Sequence, residues 1–140
     1  MGPDATVLAF DFGTRRIGVA VGNTLTRTAH PLATIEAADS RARFASIGAL
    51  IGEWQPARLV VGLPVHVDGS EHAMTGKARA FAGEVSRRFA LPVEFEDERH
   101  SSQVARETLA SHGRGGRTDR ALRDQVAAQI ILQAWLDRNA

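Results

Sequence analysis

The chain has 140 residues, no cysteine and a formal net charge of +1, with 44% hydrophobic and 24% charged residues. These values describe a single globular domain over residues 1–140 and exclude disulfide scaffolds and thiolate metal centres. No apolar run approaches the roughly 20 residues of a bilayer-crossing helix, and residues 1–4 lack signal-peptide character, so a cytoplasmic protein with no membrane partner is expected.

Residues 7–11, Val-Leu-Ala-Phe-Asp, read as a short buried strand. A turn at residues 13–16 leads into a second strand over residues 17–22, so the two form a hairpin. A third, shorter strand spans residues 29–35, and its proline suits a sheet edge. Asp39 or Ser40 caps a helix whose apolar residues Phe44, Ile47, Leu50, Ile51 and Trp54 follow helical spacing, and Pro56 stops it. Residues 59–61 are a buried strand closed by Gly62-Leu63-Pro64. After a loop at residues 65–70, a second helix carries Ala78, Phe81, Ala82, Val85 and Phe89 on one stripe. Residues 92–97 form the next strand. Ser101 or Ser102 caps a helix through Ala110, with Gly113 at its end. Residues 112–117 are a basic, glycine-rich loop suited to a flap, and a final helix starts at Thr118 or Asp119 and runs to about Asp137.

This order predicts an α/β fold: a five-stranded mixed sheet, three antiparallel strands then two parallel ones, with helices on both faces. Strand one is then central, and Asp11 lies at its carboxyl end. Glu98 reaches the same end if its strand runs parallel to the first. Asp124 stands on the apolar stripe of the last helix, one turn before Ala127 and Ala128, whose small side chains allow close approach to the sheet. A carboxylate beside a core costs several kcal/mol unless its charge is compensated. Three of them converging from distant segments predict a site for hard divalent cations, Mg²⁺ or Mn²⁺. Two such ions can activate a water and stabilise the leaving oxygen of a phosphodiester. Asp97 should face away from this site, since neighbouring strand residues alternate.

Arginines surround these positions. Arg15 and Arg16 adjoin Asp11, and Arg99, Arg114, Arg117, Arg120 and Arg123 cluster around the later carboxylates, against few acidic partners. Arginine suits bidentate phosphate contact, so these residues are candidates for holding the backbone of a nucleic acid. His66, His72, His100 and His112 show no metal-ligand spacing, although His100 adjoins Glu98 and could shuttle protons. The glycine loop at residues 113–116 lacks a lysine-serine ending and is not a phosphate-binding P-loop.

Asp11-Phe12-Gly13-Thr14-Arg15-Arg16-Ile17-Gly18-Val19-Ala20 resembles the first motif of the YqgF, or RuvX, family of bacterial proteins. Gly62-Leu63-Pro64 with Asp68-Gly69-Ser70, Asp97-Glu98-Arg99, and Asp124 ahead of Ala127-Ala128 and Ile131-Leu132-Gln133 follow in that family's order. The resemblance covers nearly the whole chain. It implies an RNase H-like fold related to the resolvase RuvC, and a nuclease that matures the 5′ end of precursor 16S rRNA. It carries the family's acidic triad onto Asp11, Glu98 and Asp124, and gives Arg99 a supporting role beside them. Asn23, His66 and His100 depart from the family's usual residues. The expected partners are therefore RNA ahead of branched DNA, with the ribosome as a further candidate, for a monomer or homodimer. Two alternatives are a Holliday-junction DNA resolvase, which needs a dimer to cut two strands symmetrically, and a catalytically silent nucleic-acid-binding protein. Asp11-Phe12-Gly13-Thr14 also resembles the first phosphate motif of actin-like ATPases, which need a second lobe that 140 residues do not accommodate.

Overall fold

The computed structural model describes residues 5–36, 39–64, 68, 71, 73–98 and 117–139. The elements in chain order are β1 (Thr6–Asp11), β2 (Arg16–Asn23), β3 (Thr28–Glu36), α1 (Ser40–Trp54), β4 (Arg58–Leu63), α2 (Ala73–Phe89), β5 (Val93–Asp97) and α3 (Arg117–Arg138). The strands form one sheet in the order β3-β2-β1-β4-β5. β1 pairs antiparallel with β2, and β2 with β3, whereas β4 runs parallel to β1 and β5 parallel to β4. The mixed sheet and the central position of β1 are those expected. The expected helix through residue 110 and the glycine loop before α3 lie outside the described residues.

Period-two alternation sorts the strands' side chains into two cores. Leu8, Phe10, Val19, Leu59 and Val61 pack against Ile47 of α1 and Phe81 and Val85 of α2. Val7, Ala9, Ala20 and Val60 pack on the opposite face against Ala128, Ile131, Leu132 and Trp135 of α3. Helices therefore cover both faces, with α3 alone on the second among the described residues. Each fully buried Leu, Ile or Phe contributes about 1.5–3 kcal/mol relative to exposure.

Local signals place the ends of α1. Asp39 accepts a hydrogen bond from the Ala42 N–H at 2.8 Å, and Gln55 closes the helix at φ 49°, its own N–H bonded to Ile51 O. The third strand differs from expectation. It is nine residues long rather than short. Val19 faces Ala33 while Ala20 faces Pro31, so Leu32 is bulged out and the ladder resumes on either side. The bulge accommodates a proline that has no N–H to give, at the sheet edge where it is tolerated. The outer side of that edge is covered from α3: the Ala29 N–H donates to Gln133 Oε1, and Gln129 Nε2 donates to Ala29 O, each at 3.0 Å.

Candidate active site

Asp11 and Glu98 reach one another because both continue the α3-facing row of their strands. On β1 that row runs Val7, Ala9, Asp11. On β5 it runs Glu94 and Glu96, bonded to Trp135 and Arg138 of α3, and then Glu98. The Glu98 N–H donates to Leu63 O at 3.2 Å, extending the β4–β5 ladder by one residue and keeping the side chain on that face. β4 lies between the two strands, and its residue on this row is Gly62. A Cβ there would stand 2.8 Å from Glu98 Oε2 and 2.5 Å from Ile131 Cδ1. With that space open, the buried Glu98 side chain crosses β4 and hydrogen-bonds the Asp11 carboxyl.

The third carboxylate arrives on α3 by the same device. Gly18 pairs with Asp11 in the β1–β2 ladder, and a Cβ on it would lie 1.9 Å from the backbone oxygen of Asp124. The helix backbone thus rests directly on the strand, close enough for the charge of Asp124 to act on Asp11. The Asp124 carboxylate itself is turned to Arg16, whose Nε donates to Oδ2 at 2.7 Å.

Burial is the main cause of the site's unusual proton affinity. It pushes Asp11 up to about 6, with the charge of Asp124 adding to the rise and the hydrogen bond from Glu98 opposing it. Burial, then the charge of Asp11 and the hydrogen bond to it, then the charge of Asp97, push Glu98 up to about 9. Glu98 is therefore the protonated partner, donating to an Asp11 that ionises first.

Among the described residues, no group of three His, Asp or Glu side chains is arranged to hold a metal ion. Asp11 and Glu98 meet, and Asp124 is held beside them by Arg16. The donors are all oxygen, which fits a hard divalent cation. The proton that Glu98 donates to Asp11 offsets the crowding of the two carboxyls, a task that a divalent cation's charge would also perform.

A cavity of about 320 Å³ opens beside Asp11, walled by residues 11–16, Met74 and Asp124. Arg15 is exposed at its edge, and Arg120 and Arg123 are exposed on the first turns of α3. Arg117 begins α3, but its side chain, like Arg99, Arg114, His66, His72, His100 and His112, lies outside the described residues. Asp97 falls on the Phe95 side of β5, away from Glu98, as alternation requires. Sequence reasoning missed Gly18, Gly62, Phe12 and Met74 at the site, and the ion pair of Arg16. Glycine inside an otherwise apolar strand was the available signal for the first two, since it marks close approach of another segment.

The sequence profile of a family described as RuvX, Holliday junction resolvase, matches residues 5–138. A protein of Dechloromonas aromatica named "Putative pre-16S rRNA nuclease" is 54% identical over 132 residues, 94% of this chain and 90% of that one. One of the same name from Chromobacterium violaceum is 52% identical, covering 94% of this chain and 96% of its own. Among solved structures, Thermus thermophilus RuvC in complex with a Holliday junction substrate aligns with TM-score 0.55 at 16% identity, over 96% of this chain and 94% of RuvC.

Proposed function

The chain belongs to the RuvX family, and on that premise we propose that it is a metal-dependent nuclease that processes the 5′ end of precursor 16S rRNA. The fold is RNase H-like, shared with RuvC. The observation that carries the reading is the Asp11 carboxyl, hydrogen-bonded to the buried Glu98 and sharing with Asp124 the wall of a cavity edged by arginine. In this reading Asp11, Glu98 and Asp124 would together hold Mg²⁺ or Mn²⁺. When bound, such ions polarise the scissile phosphate and supply a water acidic enough to attack at neutral pH. Arg15, Arg16, Arg120 and Arg123 hold flanking phosphates, and the sequence offers Arg99, Arg114 and Arg117 as further phosphate contacts. Among the described residues no helix is long and apolar enough to cross a membrane, which suits a cytoplasmic enzyme working on ribosome precursors.

The family's description supports a second reading, a DNA junction resolvase, which would need a dimer to cut two strands symmetrically. One experiment separates them. Wild type and Asp11→Asn are incubated with a 5′-extended 16S precursor and with a four-way DNA junction, in Mg²⁺, Mn²⁺ or EDTA. Metal-dependent trimming of the RNA, lost in the variant by about two orders of magnitude or more, is the expected result. Paired nicks in the junction alone would move the assignment to a resolvase, and no cleavage of either would leave a binding role.

A further inference from the structure

A second groove opens on the other side of Phe12, between α1 and α2, with a volume of about 380 Å³. Its walls include Phe12, Arg43, Phe44, Lys77, Glu84 and Arg88. We propose that this groove seats an unpaired stretch of the RNA substrate immediately beside the cleaved phosphate, an inference that rests on the nuclease reading above.

Two ring–guanidinium pairs share one buried support, Phe81. The Phe12 ring lies 4.8 Å from the ring of Phe81, and the Arg43 guanidinium sits 5.7 Å from the Phe12 centroid. On the neighbouring side, Phe44 lies stacked 6.2 Å from Phe81, and the Arg88 guanidinium sits 4.3 Å from the Phe44 centroid. Phe81 is 5% exposed and anchored in the core, so both pairs are held by packing rather than left to rotate. Nucleic-acid bases stack on aromatic rings and on guanidinium planes alike, with little regard to sequence. A base-paired duplex hides the base faces that such pairs take, so the fit is to a single strand.

Charge agrees with that occupant. Arg43, Lys77 and Arg88 bring three positive charges to the groove against one carboxylate, Glu84. Glu84 is already engaged by Arg88 at 2.7 Å and by Arg87. The groove is also continuous with the candidate active site. Phe12 lines both cavities, and Arg43 Nη2 donates at 2.7 Å to the carbonyl oxygen of Thr14, in the wall of the first. A strand whose phosphate lay over Asp11 would pass its next nucleotides across Phe12 into the groove.

The test is fluorescence anisotropy in EDTA, where cleavage plays no part, with a short labelled oligoribonucleotide, its duplex and a deoxyribonucleotide strand of the same sequence. Lys77 and Arg88 are exposed, so the double variant K77A/R88A keeps the fold. Wild type should prefer the single RNA strand over the duplex. The variant should lose about tenfold in affinity for the strand, and its logarithmic salt slope should fall by about 1.4 for two phosphate contacts. Equal affinity in variant and wild type, preference for the duplex, or tighter binding of the DNA strand would each overturn the proposal. As a second measurement, an oligoribonucleotide carrying 4-thiouridine should photo-crosslink to peptides of α1 or α2. Crosslinks confined to α3 would refute it. Because none of this requires turnover, a protein that binds through the groove but cleaves no RNA would fail the nuclease reading alone. A protein that cleaves RNA with an unchanged groove variant would fail this inference alone.

Discussion

Arg16 Nε donates to Asp124 Oδ2 at 2.7 Å, joining the first residue of β2 to a helix 108 residues further along the chain. Asp124 also lies close enough to Asp11 to raise its proton affinity, so Arg16 offsets part of the like-charge crowding of the site. The guanidinium and a divalent cation would then compete for one carboxylate. Arg16→Gln should lower the Tm of the metal-free protein and tighten Mn²⁺ binding severalfold, read as a larger Mn²⁺-induced rise in Tm. It should also raise KM for RNA if Arg16, once released, meets a phosphate. A Mn²⁺ shift identical to wild type would show that Asp124 is not contested.

Gly18 and Gly62 set how closely the three carboxylates can approach. A methyl group on Gly18 would sit 1.9 Å from the backbone of Asp124, so Gly18→Ala must push α3 away from β2. Overpacking of this kind costs about 1–3 kcal/mol, and activity should fall as well, although Gly18 itself touches no substrate. Gly52 provides the contrast: it lies in α1 with nothing within 4 Å of its added Cβ. Gly52→Ala should stabilise by about 0.5–1 kcal/mol and leave cleavage unchanged. Chemical denaturation with a cleavage assay checks both, and a fully active Gly18→Ala would remove the close-approach argument.

The glutamines of α3 make a separate prediction about the sheet edge. Gln133 accepts from the Ala29 N–H and donates to Arg27 O at 2.8 Å, so its loss leaves backbone groups at the start of β3 and just before it to water. Gln133→Ala should cost about 1 kcal/mol. Hydrogen exchange should show faster opening at residues 27–30 while β1 stays protected, and uniform acceleration would argue that α3 and the sheet open as one unit.

The central place of β1 and the meeting of Asp11 with Glu98 were legible because a hairpin start followed by helical crossovers brings the carboxyl ends of β1 and β5 to one edge of the sheet. Asp124 was legible because helical spacing put it on the stripe of Ala128 and Ile131. The length of β3 was not. Its continuation depends on a bulge at Leu32 that exists only against Ala20, a partner that local sequence does not reveal. The pairing of Arg16 was hidden for a similar reason. An arginine next to an aspartate proposed as catalytic reads as a phosphate ligand, and its actual partner comes from the opposite end of the chain. The crossing of Glu98 over Gly62 needed the order of β1, β4 and β5 before the glycine's purpose could be seen.

The Asp11–Glu98 pair gives the metal-free protein a particular pH dependence. Both groups bind protons more tightly in the folded state, Asp11 up to about 6 and Glu98 up to about 9, from ordinary values of 3.8 and 4.5. A raised folded value means the stabilising contribution is complete below the unfolded value and is lost as pH rises through the folded one. In EDTA the Tm should therefore fall from about pH 4 to pH 9, the contribution of Asp11 being lost by about pH 6 and that of Glu98 by about pH 9. Glu98→Gln keeps a hydrogen-bond donor for Asp11 and removes the second ionisation, so the decline above pH 6 should flatten. Saturating Mg²⁺ or Mn²⁺ should reverse the wild-type decline and affect Glu98→Gln less, because the variant offers one carboxylate fewer. A wild-type Tm that stays level in EDTA across this range, or a variant that declines as steeply, would mean that the two carboxyls do not share a buried proton.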